Sequence, residues 1–532
     1  MHEEPEGLLC FFAARQRRNR GAFQSFDQPL VDLLIGGQHA VAAAAFLLLA
    51  LATTGTVAGQ DVESARGERR AHGERPLPAL PAEVAALYRL SVVLGCPTDR
   101  SVTLSVLSAD ALEGYCEFGS APEEYTHRTA LTNFPVGQPV AVLLDQLPPD
   151  KTCSYRLQYR APGEIRYTEG VPHVFHTQRA AGGTFVFEVQ GDSHPERPQQ
   201  FDPMLYQQTL KSAAADQPDF YLLMGDDFSV DTLQTINADA VARRYRYQRS
   251  FLSLIGQSAP IFLVNGNHEQ AAVCNLDGTP CNVAVWAQTS RNRYFPQPAP
   301  DGFYIGDLTN VPFIGLLRDY YAWTWGDALF VVIDPYWHSS MPVDNVLGGG
   351  AKRDDMWSVT LGDAQYQWFR QTLERSRARY KFVFTHHVLG TGRGGIELAG
   401  GYEWGGRNRR GEWEFPQQRP GWTLPIHQLM ATNRVTIFFQ GHDHIFAHQQ
   451  LDGVVYQTLA QPADPNYTRA KWADDYRSGD ILPSSGRVRV LVTPAKVRVE
   501  YVRSYLPRDA TTTHPDGEIA FSYEIPAQQT SK

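Results

Sequence analysis

Thr184–His194 reads TFVFEVQGDSH, an almost fully apolar run that ends in glycine, aspartate and histidine. Such a short run of aromatic and β-branched residues indicates a strand buried on both faces. The same arrangement recurs further along the chain. The apolar runs Phe220–Met224, Pro260–Val264, Lys381–Phe384 and Val435–Phe439 lead into GDD, NGNHE, THH and QGHDH respectively.

Helical patterns between these runs, over Asp202–Ala215 and Asp363–Ala378, give the alternation of strands and helices that is typical of an α/β layer fold. Ligands of open α/β sheets bind at the carboxyl ends of the strands. We therefore expect five strands to deliver aspartate, asparagine and histidine side chains to one edge of a sheet.

These side-chain types predict a dinuclear metal site. Such a site needs terminal ligands for each ion, one oxygen donor that bridges both ions and an open position for water. Asp226 follows Gly225 at a strand end and is the natural bridge, because a carboxylate has two oxygens. The other predicted ligands are Asp192, His194, Asn267, His386, His442 and His444. Mixed nitrogen and oxygen donors suit Fe, Mn, Zn or Co better than Ca or Mg.

The order of these motifs, D-x-H, GD, GNHE, a histidine-bearing strand and GHxH, resembles that of the calcineurin-like metallophosphoesterases. The resemblance extends from Phe185 to about Tyr501. It implies an α/β (α+β) four-layer sandwich with two mixed β-sheets flanked by helices. Purple acid phosphatases, a related group, carry tyrosine where this chain has Ser229 and glycine where it has His194. The chain therefore resembles the broader family and not the purple enzymes.

The resemblance also implies roles for individual residues. One ion would be held by Asp192, His194, Asp226 and His444, and the other by Asp226, Asn267, His386 and His442. His386 is preferred to His387 because the first histidine of the pair aligns with the family motif. His268 would assist the leaving group, and Glu269 would orient a neighbouring group.

The function implied is that of an exported phosphoester hydrolase that depends on two divalent or mixed-valence metal ions (Fe, Mn or Zn). A metal-bridged hydroxide would attack phosphorus in a small phosphoester, most simply a phosphomonoester as in an acid phosphatase. A phosphodiesterase or nucleotide pyrophosphatase with the same site is the alternative. A non-catalytic surface-binding protein is a further alternative, against which the complete ligand set argues.

A long segment rich in glycine, arginine and tryptophan, residues 391–422, lies between the last two ligand strands. Loops at such positions select substrates. Arg393 and Arg407 could clamp phosphate, and Trp404 could stack on a nucleobase. The alternative is a solvated lid that makes no contact with substrate.

Short alternating runs over residues 84–180 predict an all-β sandwich. Leu147–Arg156 (LPPDKTCSYR) resembles the turn and strand of fibronectin type III-like domains, which also precede the catalytic domain in purple acid phosphatases and related proteins. The catalytic domain is then expected over 181–505, and a C-terminal tail over 506–532.

The start of the chain predicts export. Ala40–Ala52 is an uncharged apolar run, and small residues at Thr56–Ala58 suit cleavage after Ala58. Residues 1–58 are thus predicted to be a signal peptide or, alternatively, an N-terminal anchor. We expect contact with a membrane only if this segment is retained as an anchor. Residues 59–83 are charged, contain proline and are predicted to be a linker.

Composition excludes other classes. With 43% hydrophobic and 20% charged residues among 532, the chain can bury large cores and is not disordered. Its net charge of −9 gives no general attraction for nucleic acid, so we expect no nucleic-acid partner. A phosphate-bearing substrate must therefore be held by local cations.

Overall fold

The computed structural model describes residues 77–121, 124–344, 356–388 and 392–527. The predicted signal or anchor, 1–58, and most of the predicted linker lie outside these ranges. Within them, no helix combines the length and the apolar character needed to cross a membrane. The described residues belong to one unit, residues 74–532.

An α-helix, α1 (Ala82–Arg89), precedes the first strand, so the predicted sandwich range does not begin with β-structure. Pro81 lies at its N-terminal cap, and the helix sequence, AEVAALYR, is rich in alanine and leucine. The strands that follow are β1 (Leu90–Gly95), β2 (Val102–Ser108), β3 (Leu112–Gly119), β4 (His127–Arg128), β5 (Thr132–Phe134), β6 (Val140–Leu144), β7 (Thr152–Arg160), β8 (Thr168–Glu169) and β9 (His173–His176).

These strands form two antiparallel sheets. One has the order β1-β2-β6, and the other is built on β3 and β7, with β4 and β5 beside β3 and with β8 and β9 beside β7. Their inner faces share a core that includes Leu104, Cys116, Tyr155 and Phe175. The all-β character of this part is as expected from the alternating sequence pattern, whereas its likeness to fibronectin type III domains stays a prediction.

The rest of the chain alternates strands and helices. Its strands are β10 (Phe185–Gln190), β11 (Phe220–Leu223), β12 (Ile261–Leu263), β13 (Ile305–Gly306), β14 (Asn310–Val311), β15 (Gly315–Leu316), β16 (Tyr321–Trp325), β17 (Ala328–Val332), β18 (Tyr380–Phe384), β19 (Ile437–Gln440), β20 (Phe446–Leu451), β21 (Val454–Thr458), β22 (Asp480–Leu482), β23 (Gly486–Val492), β24 (Lys496–Arg503) and β25 (Ile519–Pro526). Its α-helices are α2 (Pro203–Ala215), α3 (Ala238–Gly256), α4 (Val283–Tyr294), α5 (Gly362–Arg375), α6 (Tyr402–Gly405), α7 (Phe415–Gln418) and α8 (Ile426–Thr432). Short 3₁₀ helices span Val273–Asn275, Gly395–Leu398 and Ala473–Asp475.

The predicted helices α2 and α5 form close to their expected bounds. The carboxylate of Asp202 caps α2 by accepting hydrogen bonds from the N–H groups of Met204 and Leu205, and Pro203 occupies the first helical position.

Two mixed sheets organise this part of the chain. The first has the order β12-β11-β10-β23-β24-β25, in which β10, β11 and β12 are parallel. The second has the order β13-β16-β17-β18-β19-β21-β20-β22, in which β17, β18, β19 and β21 are parallel. A small antiparallel ribbon pairs β14 with β15.

The sheets pack face to face through a core rich in phenylalanine, which includes Phe187 and Phe220 of the first sheet and Phe330 and Phe439 of the second. Helices α2 and α3 cover the outer face of the first sheet, and α5 and α8 cover that of the second. The layers therefore follow the order helix, sheet, sheet, helix, as expected.

The segment predicted as a C-terminal tail departs from expectation, because β25 pairs along its length with β24 and completes the first sheet. Its side chains alternate between partly buried and exposed. This alternation is the pattern of an edge strand with one face on the core.

Candidate metal centre

The predicted ligands lie just after five strands, as expected, but these strands belong to two sheets and not to one. Asp192 and His194 follow β10, Asp226 follows β11, Asn267 follows β12, His386 follows β18, and His442 and His444 follow β19. The strands are parallel within each sheet, and the sheets face each other. Their carboxyl ends therefore lie side by side at one end of the sandwich.

Asp226 lies at the centre of this arrangement. Its Oδ2 atom is 3.1 Å from Nε2 of His386 and 3.6 Å from Nε2 of His194. One ligand atom each of Asp226, His386 and His442 lie within 4.8 Å of one another. The Asp226 carboxylate therefore faces histidines from both sheets, as a bridging ligand must.

Asp192 is the second carboxylate among the predicted ligands. Its Oδ2 atom lies 3.0 Å from Nε2 of His444, 3.7 Å from Nε2 of His194 and 4.0 Å from Nε2 of His386. The amide oxygen of Asn267 lies 3.1 Å from Nε2 of His386.

The residues fit metal ions. All seven predicted ligands are buried, and Oδ2 of Asp192 and Nε2 of His194 have no hydrogen-bond partner. Buried polar atoms without partners are costly, and cations among these carboxylate and imidazole atoms would supply the missing partners. Oxygen and nitrogen donors in this mixture suit transition-metal ions.

The backbone holds several of these residues in a left-handed conformation. The φ angles of His194, Asp226, His442 and His444 are 46°, 59°, 66° and 60°. Non-glycine residues adopt such angles at a cost of about 1–3 kcal/mol each, and they do so where the surroundings fix them, often at functional sites. A Cβ atom at Gly441 would lie 2.5 Å from Oδ1 of Asp192, so only glycine fits there.

Glu269 fastens two of the ligand loops together, in agreement with its predicted orienting role. Its carboxylate accepts hydrogen bonds from the backbone N–H groups of Asp226, Gly266 and Phe228 at 3.0, 2.8 and 3.0 Å. Burial and the charge of Asp226 raise the pKa of Glu269 to about 7, although the backbone donors oppose the shift. The loops after β11 and β12 are thus held in fixed positions.

Hydrogen bonds also orient the imidazoles. Nδ1 of His386 donates to the carbonyl of Met224 at 2.6 Å, and Nδ1 of His194 donates to Glu196 at 2.9 Å. Burial raises the pKa of Glu196, but the charges of His194, Arg197 and His268 outweigh it and bring the value to about 2. Each ring therefore presents Nε2 to the centre of the site, as ligating histidines do.

His268 lies at the edge of the predicted metal centre and is partly exposed to solvent. Its Nε2 atom lies 3.9 Å from Oδ2 of Asp226 and 2.9 Å from Nη2 of Arg197, while Nδ1 donates to Asp231 at 2.7 Å. Its side chain is 15% exposed, in contrast to the buried ligands. Burial lowers its pKa, but the charges of Asp226 and Asp231 raise it to about 9. Because the Arg197 guanidinium can only donate, its contact with Nε2 requires the neutral imidazole, and protonation of His268 at Nε2 would break this contact.

The structure separates the two adjacent histidines. His386 faces Asp226, whereas the ring of His387 lies against His442, with 4.3 Å between ring centroids, and contacts the hydroxyl of Tyr336 through Nδ1. Burial lowers the pKa of His387 well below its usual value, and so do the charges of His442 and His386.

Of the three predicted substrate-binding residues, only Arg393 lies at the centre. Its guanidinium donates to the carbonyl of His442 and lies 3.4 Å from Oδ1 of Asp443. Asp443 is buried and also accepts hydrogen bonds from Tyr476 and from the backbone N–H of Gly394. Arg393 thus couples the 392–422 segment to the last ligand loop.

The other two predictions are wrong in position. Trp404 is 2% exposed, packs on Phe438 and donates its indole N–H to Tyr456, so it belongs to the core beneath the second sheet. Arg407 is exposed and donates to the carbonyl of Gly411 within its own loop. The segment folds back on itself through short helices, so the sequence could not show which of its aromatic and basic residues would point at the site.

Sequence reasoning missed several residues that surround the centre: Glu196, Arg197, Asp231 and Asp344. Asp344 lies 3.3 Å from Nε2 of His442 and, with His387 and His442, forms a further group of potential ligands. Glu196 and Arg197 follow His194 closely in the sequence, and this closeness to a predicted ligand could have indicated that they lie near the centre. Asp231 and Asp344 stand in no motif, and only the fold brings them to the site.

Two cavities differ in their position relative to the predicted metal centre. A cleft of about 470 Å³ is lined by Arg197 and its neighbours and therefore opens next to His268. A larger cavity of about 880 Å³, lined by Asp301 and Arg375 among others, contains none of the predicted ligands. The smaller cleft is thus the one that adjoins the predicted metal centre.

Comparisons with known proteins identify the family of the α/β part of the chain. Residues 187–446 match the family model of calcineurin-like phosphoesterases. The solved structure of PhoD aligns with a TM-score of 0.56 at 15% identity, over 83% of this chain and 92% of PhoD. Purple acid phosphatase PPD1 from yellow lupin (Lupinus luteus) seeds aligns with a TM-score of 0.50 at 14% identity, over 82% of this chain and 74% of that one. No curated protein sequence matches the chain.

Residues 187–446 are therefore a calcineurin-like phosphoesterase domain, and the chain is a metallophosphoesterase, a hydrolase that acts on phosphoric ester bonds. At these sequence identities, the likeness to PhoD and to the lupin phosphatase shows a shared fold.

Proposed function

We propose that this chain is a phosphomonoesterase with two metal ions at the Asp226 centre. The observation that carries the proposal is the position of the Asp226 carboxylate between His194 of one sheet and His386 of the other. In this proposal, Asp192, His194 and His444 hold one ion with Asp226, and Asn267, His386 and His442 hold the other with it. When bound, such ions lower the pKa of coordinated water and neutralise charge on the phosphoryl group.

The residues of the chain supply position and proton control. Glu269 fixes the loops that carry Asp226 and Asn267, so the ligand atoms are preorganised before substrate arrives. His268 stands beside Asp226 at the edge of the cleft, where its Nε2 atom can reach a leaving-group oxygen. The carboxylates of Asp226 and Asp231 favour its protonated form, which is the form that donates a proton to a departing alkoxide.

The test combines elemental analysis with a small substrate panel. We expect the purified protein to hold close to two metal equivalents and to hydrolyse p-nitrophenyl phosphate faster than bis(p-nitrophenyl) phosphate. A faster reaction with the bis ester would make the chain a phosphodiesterase. Two bound metals without turnover of any ester would support a binding protein in place of an enzyme.

Export is part of the proposal and rests on the N-terminal sequence. The apolar run Ala40–Ala52 and the small residues before Gly59 support removal of residues 1–58. Mass spectrometry of the mature N-terminus would show a start at Gly59, whereas an intact N-terminus in a membrane fraction would indicate an anchor. Within the exported protein, the N-terminal β-domain is proposed to be of fibronectin type III type.

A further inference from the structure

The cleft beside His268 is formed by two separate segments of the chain. Residues 196–200 line one side, and Asp464, Asn466, Arg469 and Lys471 line the other. Its volume of about 470 Å³ is enough for a small organic group. The first segment follows directly from the ligand His194, so the cleft begins at the metal centre.

Positive charge dominates this cleft. Arg197, Arg469 and Lys471 are its cations, and Glu196 and Asp464 are its acids. Glu196 is already engaged by Nδ1 of His194 at 2.9 Å and by Nε of Arg197 at 3.3 Å.

The acid on the other side is also occupied. Asp464 accepts hydrogen bonds from the backbone N–H and the side-chain amide of Asn466, at 2.9 and 2.6 Å. Among the described residues, the side chains of Arg469 and Lys471 enter no ion pair. Burial lowers the pKa of Lys471, and so do the charges of Arg197, Arg393 and Arg469, whereas the charge of Asp464 raises it. The cations are therefore close enough to repel one another, an arrangement that an anionic ligand would relieve.

The cleft joins the metal centre on both of its sides. On one side, Nη2 of Arg197 lies 2.9 Å from Nε2 of His268. On the other, the ring of Trp472 lies under both Lys471, whose Nζ is 4.9 Å from the ring centroid, and Arg393, whose Cζ is 4.3 Å from it. Arg393 in turn donates to the carbonyl of His442.

We infer that this cleft binds a second anionic group of the substrate, on the leaving-group side of the scissile bond. The inference deepens the proposed function and rests on it for the position of the leaving group next to His268. In the proposed function, two metal ions neutralise the charge of the reacting phosphoryl group. The arginine and lysine side chains of the cleft are then available to bind a second anionic group on the same substrate. The substrate class is a phosphoester whose leaving group carries a phosphate or carboxylate.

Binding of non-hydrolysable probes to the metal-loaded protein tests this inference. The probes are propane-1,3-diphosphonate, with two anionic groups, and propylphosphonate, with one. By calorimetry, we expect the wild-type protein to bind the diphosphonate at least about tenfold more tightly. Combined Arg469→Gln and Lys471→Gln substitutions should reduce this preference to less than about threefold.

Lys151→Gln is the control for a lysine-to-glutamine change away from the cleft, because it removes an exposed positive charge in the N-terminal β-domain. It should keep the full preference. Equal wild-type affinity for the two probes would overturn the inference whether or not the double variant folds, and so would a preference that survives in a folded double variant. The measurement needs no turnover. A protein that prefers the diphosphonate but hydrolyses no ester would therefore refute the proposed function and retain the anion-binding cleft.

Discussion

Nδ1 of His268 donates a hydrogen bond to Asp231 at 2.7 Å, and this bond turns Nε2 of the same ring toward Asp226 and Arg197. A carboxylate can only accept from Nδ1, so the second nitrogen is left to face the reacting groups. Asp231 thereby sets both the orientation and the proton affinity of His268.

The substitution Asp231→Asn should move the alkaline limb of the pH–activity profile to lower pH. A His268 that donates a proton is active below its pKa, and activity is lost as pH rises through that value. Asp226 and Asp231 raise the pKa to about 9 against the effect of burial, so removal of the Asp231 charge lowers it. The measurement is kcat as a function of pH. Asp145→Asn, at an exposed position of the N-terminal β-domain, should leave the limb unchanged.

Replacement of His268 by alanine should slow turnover and preserve the metal content. Loss of a general acid costs on the order of 10²–10⁴ in kcat. The ligand loops keep their contacts, because His268 binds Asp226 through its backbone N–H as well, at 2.8 Å. Elemental analysis beside steady-state kinetics checks both effects. Parallel loss of metal and rate would make His268 a ligand.

The substitution Asp226→Asn should remove metal as well as activity. It replaces the one carboxylate that faces histidines of both sheets with a neutral amide of nearly equal size, so the charge that balances two cations is lost. We expect at least one metal equivalent to disappear, with a fall in kcat/KM of at least about 10³. Wild-type metal content in this variant would contradict the bridging role.

Removal of the metal ions with a chelator should destabilise the folded protein. Asp192 and Asp226 are buried carboxylates in one small site, and a cation bound only to the folded state adds about 4 kcal/mol at a thousand times its dissociation constant. For a chain of this size, that amounts to roughly 4 °C in Tm. Calorimetric melts with and without chelator measure the effect, and restored metal should reverse it. An unchanged melting temperature would show that the cluster is stable without cations.

Trp404→Ala should reduce stability without changing substrate recognition. The side chain is buried against Phe438, so its truncation leaves a cavity that costs about 3–5 kcal/mol. Denaturant unfolding measures this loss, and KM should remain within about twofold because the ring contacts core residues and not the site. The control is Trp413→Ala, whose ring is 48% exposed and whose loss should cost far less. A large rise in KM for Trp404→Ala would return this residue to the substrate site.

The predicted fold depended on local signals that the structure preserves. Strands β10, β11, β12, β18 and β19 occupy the apolar runs of the sequence, because a strand buried on both faces has no alternative to continuous apolar residues. Strand β25 was missed because an edge strand exposes alternate residues and differs little in composition from a loop.

The residues around the predicted metal centre also fall into two groups, those that the sequence predicted and those that only the structure places there. The sequence by itself determined which predicted ligands gather around Asp226, since each of them closely follows a strand whose end the pattern predicts. Only the tertiary structure decided that Asp231, Asp344, Arg469 and Lys471 surround it, and that Trp404 does not. These positions depend on how irregular loops fold back over the sheets, and such paths are fixed by packing and hydrogen bonds between residues far apart in the chain, which leave no periodic trace in the sequence.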